Sequence, residues 1–189
     1  KRTSENCSAA GVNSEVLLHV RAQHALSGLL GVLNCGSAIV PVSAYRSHAE
    51  QIQLYRDCLL EHGPLYTGQF VALPGCSEHQ TGLAIDLGEN GPELDYIAPS
   101  FPDIGPCRNF RQLAPQFGFI RRYEASKEAL TGIADEPWHF RYVGCPHSEI
   151  MEQEGMCLEE YLQWLRNFSQ DRPLCRNGTQ IFFVPYRTG

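Results

Sequence analysis

The chain is short of the features that would place it on a nucleic acid or in a membrane. Its 15 lysines and arginines are outnumbered by 21 acidic residues, the formal net charge is -6, and away from the N-terminus the only adjacent basic pair is Arg121-Arg122. A basic stripe of the kind that follows phosphates or anionic lipid is missing, so neither nucleic acid nor a membrane surface is an expected partner. No apolar run approaches the roughly 20 residues that span a bilayer. Lys1-Arg2-Thr3-Ser4-Glu5-Asn6 does not read as a signal peptide, and a start at Lys1 leaves room for an export or anchoring segment upstream. Internal repeats and low-complexity tracts are lacking. The eight cysteines include no C-x-x-C pair, and several replace small apolar residues within predicted helices and strands, which favours free buried thiols over a disulfide framework. At 189 residues, 43% hydrophobic and 19% charged, the chain suits a single domain over 1–189 with a sizeable core.

Two stretches in that domain carry chemistry: Ser77-Glu78-His79-Gln80-Thr81-Gly82-Leu83-Ala84-Ile85-Asp86 and Asp135-Glu136-Pro137-Trp138-His139-Phe140-Arg141-Tyr142. Zinc that keeps a position open for water typically takes three ligands from imidazole and carboxylate, with a separate carboxylate to move the proton. His79, Asp86 and His139 supply such a ligand set, and Glu136 the base. Gly82, Leu83, Ala84, Ile85 and Leu87 are small or apolar and read as a buried strand. A separation of seven puts His79 and Asp86 on opposite pleats, so a turn or bulge at Thr81-Gly82 has to re-aim His79. Pro137 argues against one helix face and for a bend into a strand, with Glu136 at its mouth. Trp138, between base and ligand, is expected to wall the pocket. Cys76 reads as a loop residue because the ligand set is complete without it, and His147 is a weaker ligand candidate than His139, which has a carboxylate three positions before it. His19 and His24 have no partner at metal spacing and read as surface or core histidines.

In chain order, residues 1–12 read as a loosely held lead-in. Asn13 is positioned to cap a helix over Ser14–Leu33, with Leu18, Ala22, Ala25, Leu29 and Leu33 at helical spacing and Gly36 ending it. A strand over Ala38–Ser43 contains Pro41, which suits an edge or irregular position. Ser47 and Glu50 form a capping box for a helix from His48 to about His62, stopped by Gly63-Pro64, with Leu65–Leu73 as a loop. Arg46 then sits at a helix N-terminus, a ready anion site for a substrate carboxylate or an oxyanion. Glu89–Pro106 is a long loop expected to border the site. A short helix ending at Phe117-Gly118, strands Phe119–Tyr123 and Glu136–Val143, and helices over Ser148–Met156 and Leu158–Phe168 follow, the last burying Tyr161, Leu162 and Leu165. Within the tail, 173–189, Asn177-Gly178 signals a hairpin. The pattern predicts an α+β fold, a small antiparallel sheet carrying the zinc site and flanked by helices.

The pattern S-x-H-x-x-G-x-A-x-D followed by E-P-W-H, with Ser43-Ala44-Tyr45-Arg46-Ser47 and Gln51, Phe117-Gly118-Phe119-Ile120-Arg121-Arg122-Tyr123, Tyr142-Val143-Gly144 and Leu158-Glu159-Glu160-Tyr161, resembles the zinc D-Ala-D-Ala peptidases of the VanX, VanY and VanXY type. The similarity runs from about Ile39 to Phe168, and Leu73-Pro74 and Ala38–Val42 lean towards the VanXY subgroup. The resemblance implies a fold shared with the hedgehog signalling domain, one Zn²⁺ per chain, and hydrolysis of D-Ala-D-Ala ends in the free dipeptide, the pentapeptide precursor, or both. It further implies that Arg46 stabilises the reacting carbonyl while Ser77 and Gln51 hold the substrate. A VanXY-like enzyme would work in the cytoplasm, a trimmed VanY-like one outside the membrane.

Three alternatives keep the same residues. A sister enzyme would cut L,D-bonds or L-alanyl-D-glutamate bonds. A non-catalytic zinc-binding module would use the metal to support protein contacts, a reading that the intact Glu136 disfavours. A purely structural zinc would need a fourth protein ligand, which only Cys76 could supply.

Overall fold

The computed structural model describes residues 16–92 and 94–185. The lead-in at 1–12 and the proposed cap at Asn13 lie outside the described residues. Helix α1 (Val20–Leu33) precedes strand β1 (Ile39–Ser43) and helix α2 (His48–Phe70); β2 (Ala84–Glu89), α3 (Gly105–Leu113), β3 (Phe119–Tyr123), the short α4 (Glu128–Thr131) and β4 (Glu136–Tyr142) follow. Helices α5 (His147–Glu154) and α6 (Leu158–Leu165) and a hairpin of β5 (Leu174–Arg176) and β6 (Thr179–Ile181) complete the order. The fold is α+β, as the pattern predicts.

The four longer strands form an antiparallel sheet in the order β1-β2-β4-β3. Pro41 lies on edge strand β1, where the register slips by one residue between Pro41 and Ser43. One face of the sheet packs on α1 and α3 through Ile85, Leu87, Phe119 and Phe140, all essentially inaccessible. There Phe101, Phe110 and Phe140 meet edge to face with ring centroids 4.9–5.8 Å apart. Each such aromatic buries a large apolar area, which makes this cluster the anchor of the sheet's closed face. A second core joins Ile120 to α5, α6 and Ile181 of the hairpin. The hairpin turns at Asn177-Gly178, both at positive φ, as a two-residue turn requires.

Four expectations are corrected. α1 begins at Val20, with His19 as its N-cap, because the preceding backbone is used elsewhere: Leu17 C=O accepts from Tyr45 N–H and His19 N–H donates to Gly82 C=O. α2 does not stop at Gly63-Pro64. Gly63 takes φ 79°, ψ 175°, which breaks the helical path for one residue and lets Pro64 restart it, so most of the expected loop is helix to Phe70. Leu162 faces solvent, whereas Tyr161 and Leu165 are buried. Among the described residues all seven cysteines are free thiols, but only Cys107 and Cys157 are buried, contrary to the expectation of buried thiols throughout; no helix there is long and apolar enough to cross a membrane.

Candidate metal centre

Strand β2 delivers Asp86 and β4 delivers His139, and the two are direct partners across the ladder. His79 comes from a 3-10 turn, Glu78–Thr81, that ends on Gly82 at φ 68°. This turn resolves the spacing problem: the chain reverses before β2 starts, so His79 returns over Asp86 instead of occupying the opposite pleat. A similar device brings in Glu136. Between the pairs Arg121↔Phe140 and Tyr123↔Glu136, β4 uses four residues where β3 uses two, a bulge around Pro137. Glu136 and His139 thereby reach the same site, 3.4 Å apart at Oε2 and Nδ1, although three residues separate them.

His79 Nε2 lies 3.2 Å from Asp86 Oδ2 and His139 Nδ1 lies 3.0 Å from Asp86 Oδ1, with the imidazole rings at 88° to one another. His79 Nδ1 sits 2.6 Å from the Ala44 carbonyl, so that nitrogen donates and Nε2 of the neutral ring presents a lone pair to a carboxylate oxygen. Two acceptors facing each other at this distance repel unless a proton or a metal cation stands between them. Asp86 Oδ1 is buried without a donor aligned on it. One ligand atom from each of the three residues falls in a group spanning no more than 4.8 Å, and ligand atoms about 2.0–2.2 Å from a tetrahedral zinc stand roughly 3.4 Å apart. The donor set and spacing therefore fit a divalent cation such as zinc.

Charge in the site follows the same geometry. Burial opposes ionisation of Asp86, but the two imidazoles hold its carboxyl well below the usual range. Burial also opposes charging of His139, and Asp86 more than offsets it, raising the imidazole. Glu136 responds chiefly to burial, with Asp86 adding repulsion, and is pushed up to about 7 despite His139 and Arg46.

Arg46 precedes the Ser47 capping box, in which Glu50 N–H donates to Ser47 Oγ and Ser47 N–H to Glu50 Oε2. Its guanidinium donates to Gln51 Oε1 at 3.0 Å and Ser43 Oγ at 2.9 Å. Gln51 is almost wholly buried and spends its amide N–H on Ala72 C=O. Both ends of Gln51 are thus committed to the protein, which makes it the holder of Arg46. Burial lowers the Arg46 pKa against the pull of Asp86, Glu50 and Glu136, and the group stays cationic.

These residues open on a cleft with about 190 Å³ of room. Ser77 and Trp138 line it, as do Tyr66 and Phe70 of the second half of α2 and Tyr96, Ile97 and Ala98 of the loop after β2. Cys76 is exposed, and both it and His147, which is engaged with Tyr161 at 2.7 Å, stand outside the ligand group. Sequence reasoning missed Glu78, which lines the cleft 3.6 Å from His139 Nε2, and the aromatic wall of α2. His62, Tyr66 and Phe70 recur at i, i+4, the one signal that could have marked this segment as a continuous helix.

Residues 15–145 match the family described as VanY, D-alanyl-D-alanine carboxypeptidase. Over 125 residues the chain is 50% identical to the bifunctional D-Ala-D-Ala dipeptidase and D-Ala-D-Ala carboxypeptidase VanXYC of Enterococcus gallinarum, an alignment that covers 66% of this chain and 66% of that relative. The crystal structure of the vancomycin resistance D,D-dipeptidase VanXYg with a D-Ala-D-Ala phosphinate analogue superposes with a TM-score of 0.89 at 44% identity, covering 92% of this chain and 71% of that one. A mutant of the D,D-pentapeptidase VanY from a VanB-type cassette, in complex with Zn(II), superposes with a TM-score of 0.64 at 28% identity, covering 80% and 87%.

Proposed function

The chain belongs to the VanY family of D-alanyl-D-alanine carboxypeptidases, and on that premise we propose that it hydrolyses D-Ala-D-Ala termini, releasing D-alanine from the peptidoglycan pentapeptide, the free dipeptide, or both. The observation that carries this reading is the convergence of His79, Asp86 and His139 on one point with the Glu136 carboxylate beside it, at the floor of a cleft.

His79 Nε2, an Asp86 oxygen and His139 Nδ1 would hold one zinc ion per chain. When bound, zinc supplies a lowered pKa for water and polarisation of a carbonyl oxygen. Glu136 takes the proton of the attacking water and passes it to the leaving amine, a task suited to a carboxyl poised near neutrality. Arg46, fixed by Gln51 and Ser43, offers its positive charge to the oxyanion that forms on the scissile carbonyl. Ser77 and Trp138 bound the space for the terminal residue. Tyr66, Phe70, Tyr96 and Ile97 form an apolar rim that shields the reacting groups from bulk water.

The test is D-alanine release from D-Ala-D-Ala and from a pentapeptide ending in it, with and without a zinc chelator. Chelator-sensitive release from both substrates supports a bifunctional enzyme, and release from one narrows the assignment to dipeptidase or carboxypeptidase. No release from either, with zinc bound, overturns the substrate assignment in favour of another cell-wall bond or a binding module.

A further inference from the structure

We propose that Glu78 is a positioning residue that selects the metal-binding tautomer of His139, and that Arg122 and Glu159 lock Glu78 in place. Glu78 Oε2 and His139 Nε2 are both buried, lie 3.6 Å apart, and have no hydrogen-bond partner among the described residues. The other Glu78 oxygen accepts from Arg122 Nε at 2.8 Å. Arg122, 7% exposed, turns its remaining two nitrogens to the two oxygens of Glu159 on α6, a fork that leaves the guanidinium no freedom to rotate. The chain of contacts thus runs from α6 through β3 to the turn that carries His79 and on to β4.

An ionised carboxylate only accepts, so a neutral His139 facing Glu78 carries its proton on Nε2. The lone pair then falls on Nδ1, the nitrogen 3.0 Å from Asp86. His79 has the reverse arrangement, with the Ala44 carbonyl taking the Nδ1 proton and Nε2 left bare. The two imidazoles present different nitrogens to one point, and each choice is made by a different acceptor behind the ring. Without Glu78, the Nδ1 proton of His139 would settle on Asp86 and close the site to a cation. Outer carboxylates and carbonyls of this kind commonly set ligand affinity by 10- to 100-fold.

The inference rests on the reading of His79, Asp86 and His139 as a zinc site, and its test separates the two. Zinc affinity of Glu78→Gln is measured by competition with a chromophoric chelator, together with the imidazole ¹⁵N shifts of His139 and the visible spectrum of the cobalt form. Arg122 Nε retains the amide oxygen, which turns the NH₂ towards His139 Nε2 and favours the Nδ1–H tautomer. The expected result is a 10- to 100-fold loss of affinity, with ¹⁵N shifts that show Nε2, protonated in the wild-type ring, left bare in the metal-free variant. Glu159→Gln, at a side chain 38% exposed, should lose affinity several-fold in the same direction and shift the cobalt bands. Wild-type affinity and unchanged ¹⁵N shifts in Glu78→Gln overturn the inference; should that variant not fold, unchanged affinity and cobalt bands in Glu159→Gln overturn it. Failure of the wild-type protein to bind zinc would instead overturn the functional reading.

Discussion

Asp86 and His139 face each other across the β2–β4 ladder as direct partners, with Nδ1 of the ring 3.0 Å from a carboxylate oxygen. A pair of this kind depends on register: a slip of one residue would turn one of the two side chains to the opposite face, where the phenylalanine cluster lies. The apolar packing of Ile85, Leu87 and Phe140 on that face holds the register, and so holds the site.

Glu136→Gln is expected to lower turnover by about 10²–10⁴-fold while leaving zinc bound, because the carboxylate moves a proton and is separate from the ligand group. D-alanine release and zinc content measured on one preparation check this. Normal turnover in the variant would remove Glu136 from its role.

Zinc binding should release protons and tighten as pH rises. In the metal-free protein His139 is raised by Asp86 and Glu136 is pushed up to about 7 by burial, so both hold protons that an incoming cation displaces. Calorimetry at pH 6 and 7 in buffers of differing ionisation heat should count roughly one to two protons released per ion. A pH-independent affinity would contradict these shifts.

Gln51→Leu keeps the volume but removes both hydrogen bonds that tie Arg46 to Ala72. Leaving a buried partner unsatisfied costs about 1–3 kcal/mol of stability. The freed guanidinium should also lower kcat/KM by about tenfold. Thermal unfolding and steady-state kinetics read the two effects separately.

Gly82→Ala places a Cβ 3.1 Å from the backbone nitrogen of His19 at a residue with φ 68°. The left-handed conformation alone costs about 1–2 kcal/mol for a residue with a Cβ. Since the same turn aims His79, a lower Tm together with weaker zinc binding is the expected outcome, read by thermal scans with and without the metal.

Burial, with a contribution from Glu89, pushes the Cys107 thiol up to about 11, whereas Cys76, Cys145 and Cys175 are exposed. Alkylation of the folded protein at pH 8 should label the exposed cysteines and leave Cys107 untouched until denaturant is added. Peptide mass spectrometry gives the order of labelling.

Much of the site was legible because its chemistry is local in sequence. His79, Asp86, Glu136 and His139 lie in two short stretches whose residue types suit one task, and the Ser47-Glu50 box and Asn177-Gly178 turn carry their geometry in adjacent residues. β3 falls at its expected bounds because Gly118, at φ 85°, ends the preceding helical turn. The Gly63-Pro64 kink was not legible: the dipeptide is a strong stop signal, and it is overridden where Thr67, fully buried, donates to the Gly63 carbonyl and the aromatic residues beyond it cover the cleft.

The amino-acid sequence by itself determined which groups are available: two imidazoles and two carboxylates, an arginine at a helix start, and strands apolar enough to bury. Tertiary structure decided what those groups can do. A 3-10 turn, demanded by the seven-residue spacing but given its form only by the fold, and a bulge in β4 aim His79 and Glu136 at the partners Asp86 and His139. The packing of α6 against β3 brings Glu159 to Arg122, 37 residues away in sequence, and through it Glu78 to His139. Protonation and tautomer depend on such distant neighbours because burial removes the water that would otherwise solvate every charge alike.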